Sequence, residues 1–457
     1  MAATHSVHGM WSSRLAFILA ATGSAVGLGN VWKFPYMAGD NGGGAFVLVY
    51  LLCVLLIGIP IMMAEILIGR RGRQSPINTM RSLAAAEGLN GLWVFLGWGG
   101  MVAGFLILSY YSVIAGWTLA YVFRAMGGSF AGLNGETAAE LFAALVSDPE
   151  RLLAWHTIFM VMTTIVVSRG VKSGLEQAVK VMMPALFILL LALVGYALTT
   201  GQFLRGMEFL LVPDFSALTR GSVIQAMGQA FFTLSLGMGA IMMYGSYLPR
   251  NASILRSSLI IASLDTLVSL VAGLAIFPIV FANGMEPGAG PGLVFMTLPI
   301  AFGQMPGGLL FGTLFFVLLV FAAWTSAISL VEPAAAWLVE NRGMNRVRAA
   351  AVVGTLAWLL GIVTILSFSD WAFTFDFHGE AKSNGLFDIF DILTANIMLP
   401  LGGLAMALFA SWFMGRGSTV DELQMEDGPL YQAWRFAARY LAPLGVLLIF
   451  MSGLGVI

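Results

Sequence analysis

The sequence predicts an all-α polytopic membrane protein of about eleven transmembrane helices, and three observations carry that prediction. Of 457 residues, 59% are hydrophobic and only 10% are charged, where a soluble chain carries about 25% charged residues. Apolar stretches longer than the roughly 20 residues that span a bilayer recur along the whole chain. Two of those stretches are interrupted by small residues at corresponding places, 23–30 and 235–239. A net charge of -1 argues against nucleic acid as a partner. The one cysteine, Cys53, has no partner for a disulfide within the chain and reads as a small buried hydrophobe. His5, His8, His156 and His378 are scattered and make no metal pattern. No phosphate-cradling loop or nucleophile elbow appears, so an enzyme is not expected. No small-residue cleavage site follows the first apolar stretch, which is therefore expected to stay and span.

The spans read as 12–37, 42–70, 92–125, 153–171, 174–199, 222–248, 254–283, 308–340, 346–367, 384–414 and 433–456. Two connections look sizeable. Residues 126–152 carry Gly, Asn, Asp and Glu, and 284–307 contain Pro287, Pro291, Pro299 and Pro306 beside a short apolar piece, LVFMTLPIAF, that predicts a re-entrant or cap-like element. Basic residues set the orientation. Sixteen of the 22 fall on the side of the N-terminus, including Arg70, Arg71, Arg73, Arg169, Lys172, Arg346 and Arg348. Lys33, Arg124, Arg151, Arg205, Arg220 and Lys382 fall on the other. The positive-inside rule then places the N-terminus in the cytoplasm, and an odd number of spans places the C-terminus outside. The membrane expected is the cell's inner (plasma) membrane.

The first interruption reads GSAVGLGN (23–30) and the second, FFTLSLGMGA (231–240), puts Ser235, Gly237 and Gly239 in mid-membrane. Open backbone at that depth is tolerated only where it is buried in protein or lines a cavity. Matched breaks five spans apart point to an inverted repeat with a binding site at its interface, the arrangement by which secondary transporters hold ions and substrates. Small residues for close helix packing are the competing explanation.

At these residues the chain resembles a known family. GSAVGLGNVWKFPYMAGDNGGGAF (23–46) is similar to the first-span signature of the neurotransmitter:sodium symporters, above all their bacterial amino-acid members. GQAFFTLSLGMGA (228–240) and AAWTSAISLVEP (322–333) extend the resemblance in order. It implies one transporter domain with a five-plus-five inverted repeat, 12–199 and 222–414, unwound helices one and six, and an extra helix at 433–456. It also implies two sodium sites. One would take the Ala25 carbonyl, the Asn30 side chain, Thr233 and Asp265, completed by the substrate carboxylate. The other would take the carbonyls of Gly23, Val26 and Ala322 with the hydroxyls of Thr325 and Ser326. Hard oxygens of this kind suit a hard cation; the two hydroxyls could also simply back-bond to the preceding turn.

The resemblance places the substrate carboxylate at the Leu28–Gly29 backbone and the Tyr111 hydroxyl, and the ammonium at Ala25, Phe232, Thr233 and Ser235. Side-chain contacts would come from Ile107, Phe232, Met238, Ser326 and Leu330. Ser24 replaces an Asn of some relatives at the same site. None of the apolar pocket residues offers a charge, so an acidic or basic side chain would be buried unpaired; a hydrophobic amino acid is expected, aromatic ones included. Asp265 stands where many relatives have Asn, with Ser269 matching a serine of chloride-dependent relatives. A central carboxylate costs roughly 2.5–3.5 kcal/mol to insert and needs a partner; sodium is a natural one, and chloride independence follows.

Gates follow from the same resemblance. Lys33 and Asp391 match the outer pair, with Lys33 in place of the usual Arg, so a looser contact is expected. Phe232 would act as a lid and Trp11 as part of the inner seal. His8 stands where an Arg is common, which puts the usual inner ion pair with an acid such as Glu340 in question. Gly174 and Pro184 match a spacing that lets the inner end of span five unwind, though a fixed proline kink gives the same pattern. Glu65 and Glu332 are intramembrane acids with no evident basic partner. The whole predicts sodium-coupled import of hydrophobic amino acids by a monomer or weak dimer in the lipid bilayer. A proton-coupled transporter of the same fold and a non-transporting amino-acid sensor are the alternatives.

Overall fold

The computed structural model describes residues 7–287, 292–377 and 380–455; His5, His378, Pro291 and the last residue of the predicted eleventh span lie outside them. Within the described residues nine helices are long and apolar enough to cross a membrane: Gly44–Gly72, Gly91–Met126, Pro149–Ser168, Val171–Leu198, Ile254–Ala282, Gly308–Arg342, Arg346–Ser367, Gly385–Phe413 and Pro429–Gly453. A tenth span is the bent pair Arg14–Ala25 and Gly29–Asp40, which meet at 52°. The eleventh is also in two pieces, Arg220–Thr233 and Ala240–Ser246, each too short to cross alone. These broken elements are the first and sixth spans in chain order, as the sequence predicts.

Local chemistry starts and stops these helices. Ser13 caps the first span, its hydroxyl accepting from Ala16 N at 3.1 Å, and Thr219 with Ser222 forms a capping box on the sixth. Capping of this kind contributes about 1 kcal/mol at each helix start. At the first break Val26 turns to extended backbone. At the second, Ser235 sits at φ 53° and Gly237 at φ 85°, left-handed values that only the glycine adopts freely.

Two intramembrane acids have specific structural partners. Glu65 is fully buried and accepts Gly237 N at 2.6 Å, so a carboxylate from span two satisfies a backbone donor freed by the sixth-span break. Glu332 has a basic partner that the sequence did not make evident: it pairs with Arg346 and accepts from Tyr247 Oη at 2.5 Å. Arg346 opens span nine, across a short loop from Glu332, so the pair forms only once spans eight and nine fold back on each other.

Outside the membrane helices, Leu293–Gln304 forms the cap-like element expected in the second long connection. It is pinned by Tyr121 Oη donating to Phe295 O at 3.0 Å and by the Phe295 ring edge-on to Trp32. The connection 126–152 contains an amphipathic helix, Gly135–Val146, that its polar composition does not reveal. The inner end of span five is wound rather than open. Val171–Leu175 is a wide π turn and the helix continues through Pro184.

Candidate functional site

The two breaks face each other. Ser235 Oγ donates to Ser24 O at 2.9 Å and Gln229 Nε2 donates to Gly29 O at 2.8 Å, so side chains of span six satisfy carbonyls freed in span one. Between them lies a small, closed-in cavity of about 40 Å³. All twelve residues expected at the substrate line it: Ser24, Ala25, Leu28, Gly29, Ile107, Tyr111, Phe232, Thr233, Ser235, Met238, Ser326 and Leu330. Gly27 and Ser329 also line it, and the sequence reading missed both. Ser329 was missed because its place on the same helix face as Ser326, three residues on, was not followed. The Tyr111 hydroxyl is 3.4 Å from Leu28 N, placing a phenol and a backbone donor together where the carboxylate is expected. Ser24 Oγ donates to Ser329 Oγ at 2.8 Å.

The first expected cation site centres on Asp265, which is completely buried. Asn30 Nδ2 donates to Asp265 Oδ1 at 2.7 Å and to Ser269 Oγ at 2.9 Å. The Asn30 carbonyl oxygen accepts Gly27 N at 3.0 Å, so this side chain also caps the first break. Asp265 Oδ2 has no hydrogen-bond partner among the described residues. A buried carboxylate oxygen left over in this way is a group that a cation completes. Thr233 Oγ1, on the facing helix, donates to Gln229 O at 3.1 Å and lies 3.4 Å from Tyr50 Oη.

The second expected site is a cluster of acceptors around one hydroxyl. Ser326 Oγ has Ser24 O at 3.2 Å, Ala322 O at 3.3 Å, Val26 O at 3.4 Å and Gly23 O at 3.5 Å. Ser24 O already accepts from Ser235 and Ala322 O from Thr325, and the single Ser326 proton cannot also satisfy both Gly23 O and Val26 O. Thr325 Oγ1 back-bonds to Phe321 O and Ala322 O, both at 3.1 Å, and its remaining lone pairs stay available. An all-oxygen shell with surplus lone pairs is chemistry suited to sodium.

The gates differ from each other. At the outer end no ion pair joins Lys33 to Asp391 among the described residues; Lys33 Nζ instead lies 4.3 Å from the centroid of the Phe232 ring, a cation–π contact. The ammonium therefore rests on the lid residue, and the looser outer pair that the sequence predicts becomes no direct pair. The opposite end, which the sequence expects to face inward, is closed by packing. Trp11 is 2% exposed, donates from Nε1 to Tyr244 O at 3.1 Å and meets the rings of Tyr244 and Tyr247 edge-on. His8 Nε2 reaches Glu340 Oε1 at 2.9 Å, which answers the question His8 raised: the shorter imidazole still makes the contact. Glu340 also accepts from Ser75 N and Asn78 Nδ2, each at 2.8 Å. Replacing His8 by Ala removes one strut of this seal and shifts the population toward inside-open. We expect a two- to fivefold rise in the external sodium concentration needed for half-maximal binding, measured by scintillation proximity.

Comparison with known proteins agrees with this fold. The model of the sodium:neurotransmitter symporter family matches residues 8–135 and 146–457. An uncharacterised sodium-dependent transporter of Bacillus subtilis (strain 168), YhdH, is 39% identical over 98% of each chain. Sodium-dependent nutrient amino acid transporter 1 of Drosophila mojavensis is 26% identical, covering 98% of this chain and 76% of its own length. The crystal structure of MhsT in complex with L-phenylalanine superposes with a TM-score of 0.88 at 42% identity, covering 97% of this chain and 99% of the other. With a family match over nearly its whole length and close relatives covered end to end, the chain belongs to the sodium:neurotransmitter symporter family and is a multi-pass membrane transporter.

Proposed function

We propose that this protein imports hydrophobic amino acids, aromatic ones included, with two sodium ions and without chloride. The observation that carries the reading is the cavity between the breaks: Thr233 in its wall neighbours Asp265, whose second oxygen has no hydrogen-bond partner among the described residues, and Ser326 in its wall stands among the carbonyls of Gly23 and Val26. Apolar side chains of Ile107, Met238 and Leu330 form its body, and no charged side chain lines it. That MhsT was crystallised with L-phenylalanine supports an aromatic substrate at this cavity. One methylene in such a pocket is worth only about 1–3 kcal/mol, so selectivity is broad among apolar side chains.

The mechanism follows from the shell. The substrate carboxylate completes the first sodium's coordination, so each raises the other's affinity by the same factor. Asp265 balances that sodium's charge, leaving chloride no electrostatic role. With both ions bound, Phe232 and Lys33 close over the cavity and the Trp11 seal releases. Two sodium ions with a zwitterion carry two charges inward, each adding about 2.3 kcal/mol per 100 mV. The chain acts as a single domain with repeats 12–199 and 222–414, N-terminus in the cytoplasm and C-terminus outside the plasma membrane.

Proteoliposome uptake across all twenty amino acids, with sodium, chloride and pH varied separately, tests this. Phenylalanine, tryptophan and leucine are expected to accumulate only on an inward sodium gradient. Replacing chloride with gluconate should leave the initial rate unchanged. Uptake that survives without sodium and collapses with a protonophore would instead identify a proton-coupled transporter. Substrate binding without flux would identify a sensor.

A further inference from the structure

A second concavity, of about 270 Å³, lies between the fourth and ninth spans, away from the substrate path. Its walls are apolar: Met160, Val161 and Ile165 from span four, and Ala351 and Trp358 from span nine. Gly354 lets the two helices close up at its base, since a Cβ there would collide with Thr164 Oγ1. One end is plugged by a satisfied polar pair, Trp358 Nε1 donating to Thr157 Oγ1 at 2.8 Å. The other end opens where Arg346 Nε donates to Val167 O at 2.9 Å, which ties the end of span four to the start of span nine.

Around that mouth stand Arg169, Lys172 and Arg348, all exposed, and among the described residues none of the three enters an ion pair. The neighbouring charges are already engaged: Arg346 with Glu332, and Glu176 with Lys180 at 2.6 Å. We propose that this groove binds one anionic glycerophospholipid, an acyl chain lying between spans four and nine and the headgroup phosphate on Arg169, Lys172 and Arg348. Each cation near an anionic lipid surface contributes about 1 kcal/mol. A second copy of the chain is the poorer occupant. A two-fold axis along the membrane normal would bring the same three cations to one level on both subunits.

Native mass spectrometry of the full chain, mixed with phosphatidylglycerol or phosphatidylcholine in detergent, tests this. One phosphatidylglycerol is expected to remain bound at least about fivefold more often than phosphatidylcholine, the ratio that even one of the three charge contacts gives. The triple variant Arg169→Gln, Lys172→Gln, Arg348→Gln should bring that ratio close to one. Ala351→Phe with Thr355→Phe, which fills the groove from its exposed side, should lower retention of both lipids. Equal retention of the two lipids by the unaltered protein, or a preference the triple variant leaves intact, would overturn the proposal. So would a dimer that the Ala351→Phe, Thr355→Phe variant breaks.

Discussion

Asp265→Asn is expected to weaken sodium binding at least about tenfold and to make the remaining uptake respond to chloride. The carboxylate is fully buried, with one oxygen held by Asn30 at 2.7 Å and the other without a hydrogen-bond partner among the described residues. A cation about 4 Å away gains up to ~4 kcal/mol from such a charge at an effective dielectric of 20. A tenfold loss is about 1.4 kcal/mol, so the expectation needs only a third of that attraction. The amide that replaces the carboxylate still accepts from Asn30 and occupies the same volume, so folding is not at stake. With the fixed charge gone, a diffusible anion becomes the available balance. Ser269 Oγ and Tyr50 Oη stand close by: Ser269 is 2.9 Å from Asn30 Nδ2 and Tyr50 is 3.4 Å from Thr233 Oγ1. Sodium activation curves in chloride and in gluconate check both halves. A curve that superposes on the unaltered protein's would remove Asp265 from the ion site.

The spans were legible because bilayer solvation acts on composition, and composition is written directly in the chain. The sixth span is instructive, since its two pieces, Arg220–Thr233 and Ala240–Ser246, fail any length test singly. Only the summed apolar stretch with a small-residue interruption betrays it. The helix Gly135–Val146 escaped because it rests on the protein's outer surface with one apolar face, and a short polar segment carries no solvation signal strong enough to separate it from a loop. Partners across the fold were the least legible. His8 and Glu340 lie 332 positions apart and Glu65 meets Gly237 across 172. An acid in an apolar stretch announces that it needs a donor, yet only packing decides which one. The same holds for Asn30, which reads as a cation ligand from its motif. Its oxygen also accepts Gly27 N at 3.0 Å, a duty that exists only because the helix is open there.

Gly27→Ala is expected to reduce uptake more than a hundredfold while leaving a folded, monodisperse protein. The position lies in the gap between the two pieces of span one, and it has to admit two hydroxyls from other helices. A Cβ built on Gly27 would lie 2.6 Å from Ser326 Oγ and 3.0 Å from Tyr111 Oη. Neither oxygen can retreat freely. Ser326 sits among the three carbonyls of the second expected cation site, Gly23, Val26 and Ala322, and Tyr111 stands by Leu28 N. Displacing either by even an ångström disturbs a geometry that must close around ions and substrate together, and misplacement on that scale can cost about a hundredfold. Because both expected cation and carboxylate contacts are hit, the fall should appear in sodium affinity and substrate affinity alike. Gly99→Ala is the control: its Cβ meets nothing within 4 Å, it lies near the membrane surface on span three, and it should transport normally. Binding of radiolabelled phenylalanine with sodium titrated separates the outcomes. A Gly27→Ala protein that binds both as the unaltered chain does would show that the gap between the broken helices is wider in solution than these contacts allow, and would move the substrate away from Tyr111 and Ser326.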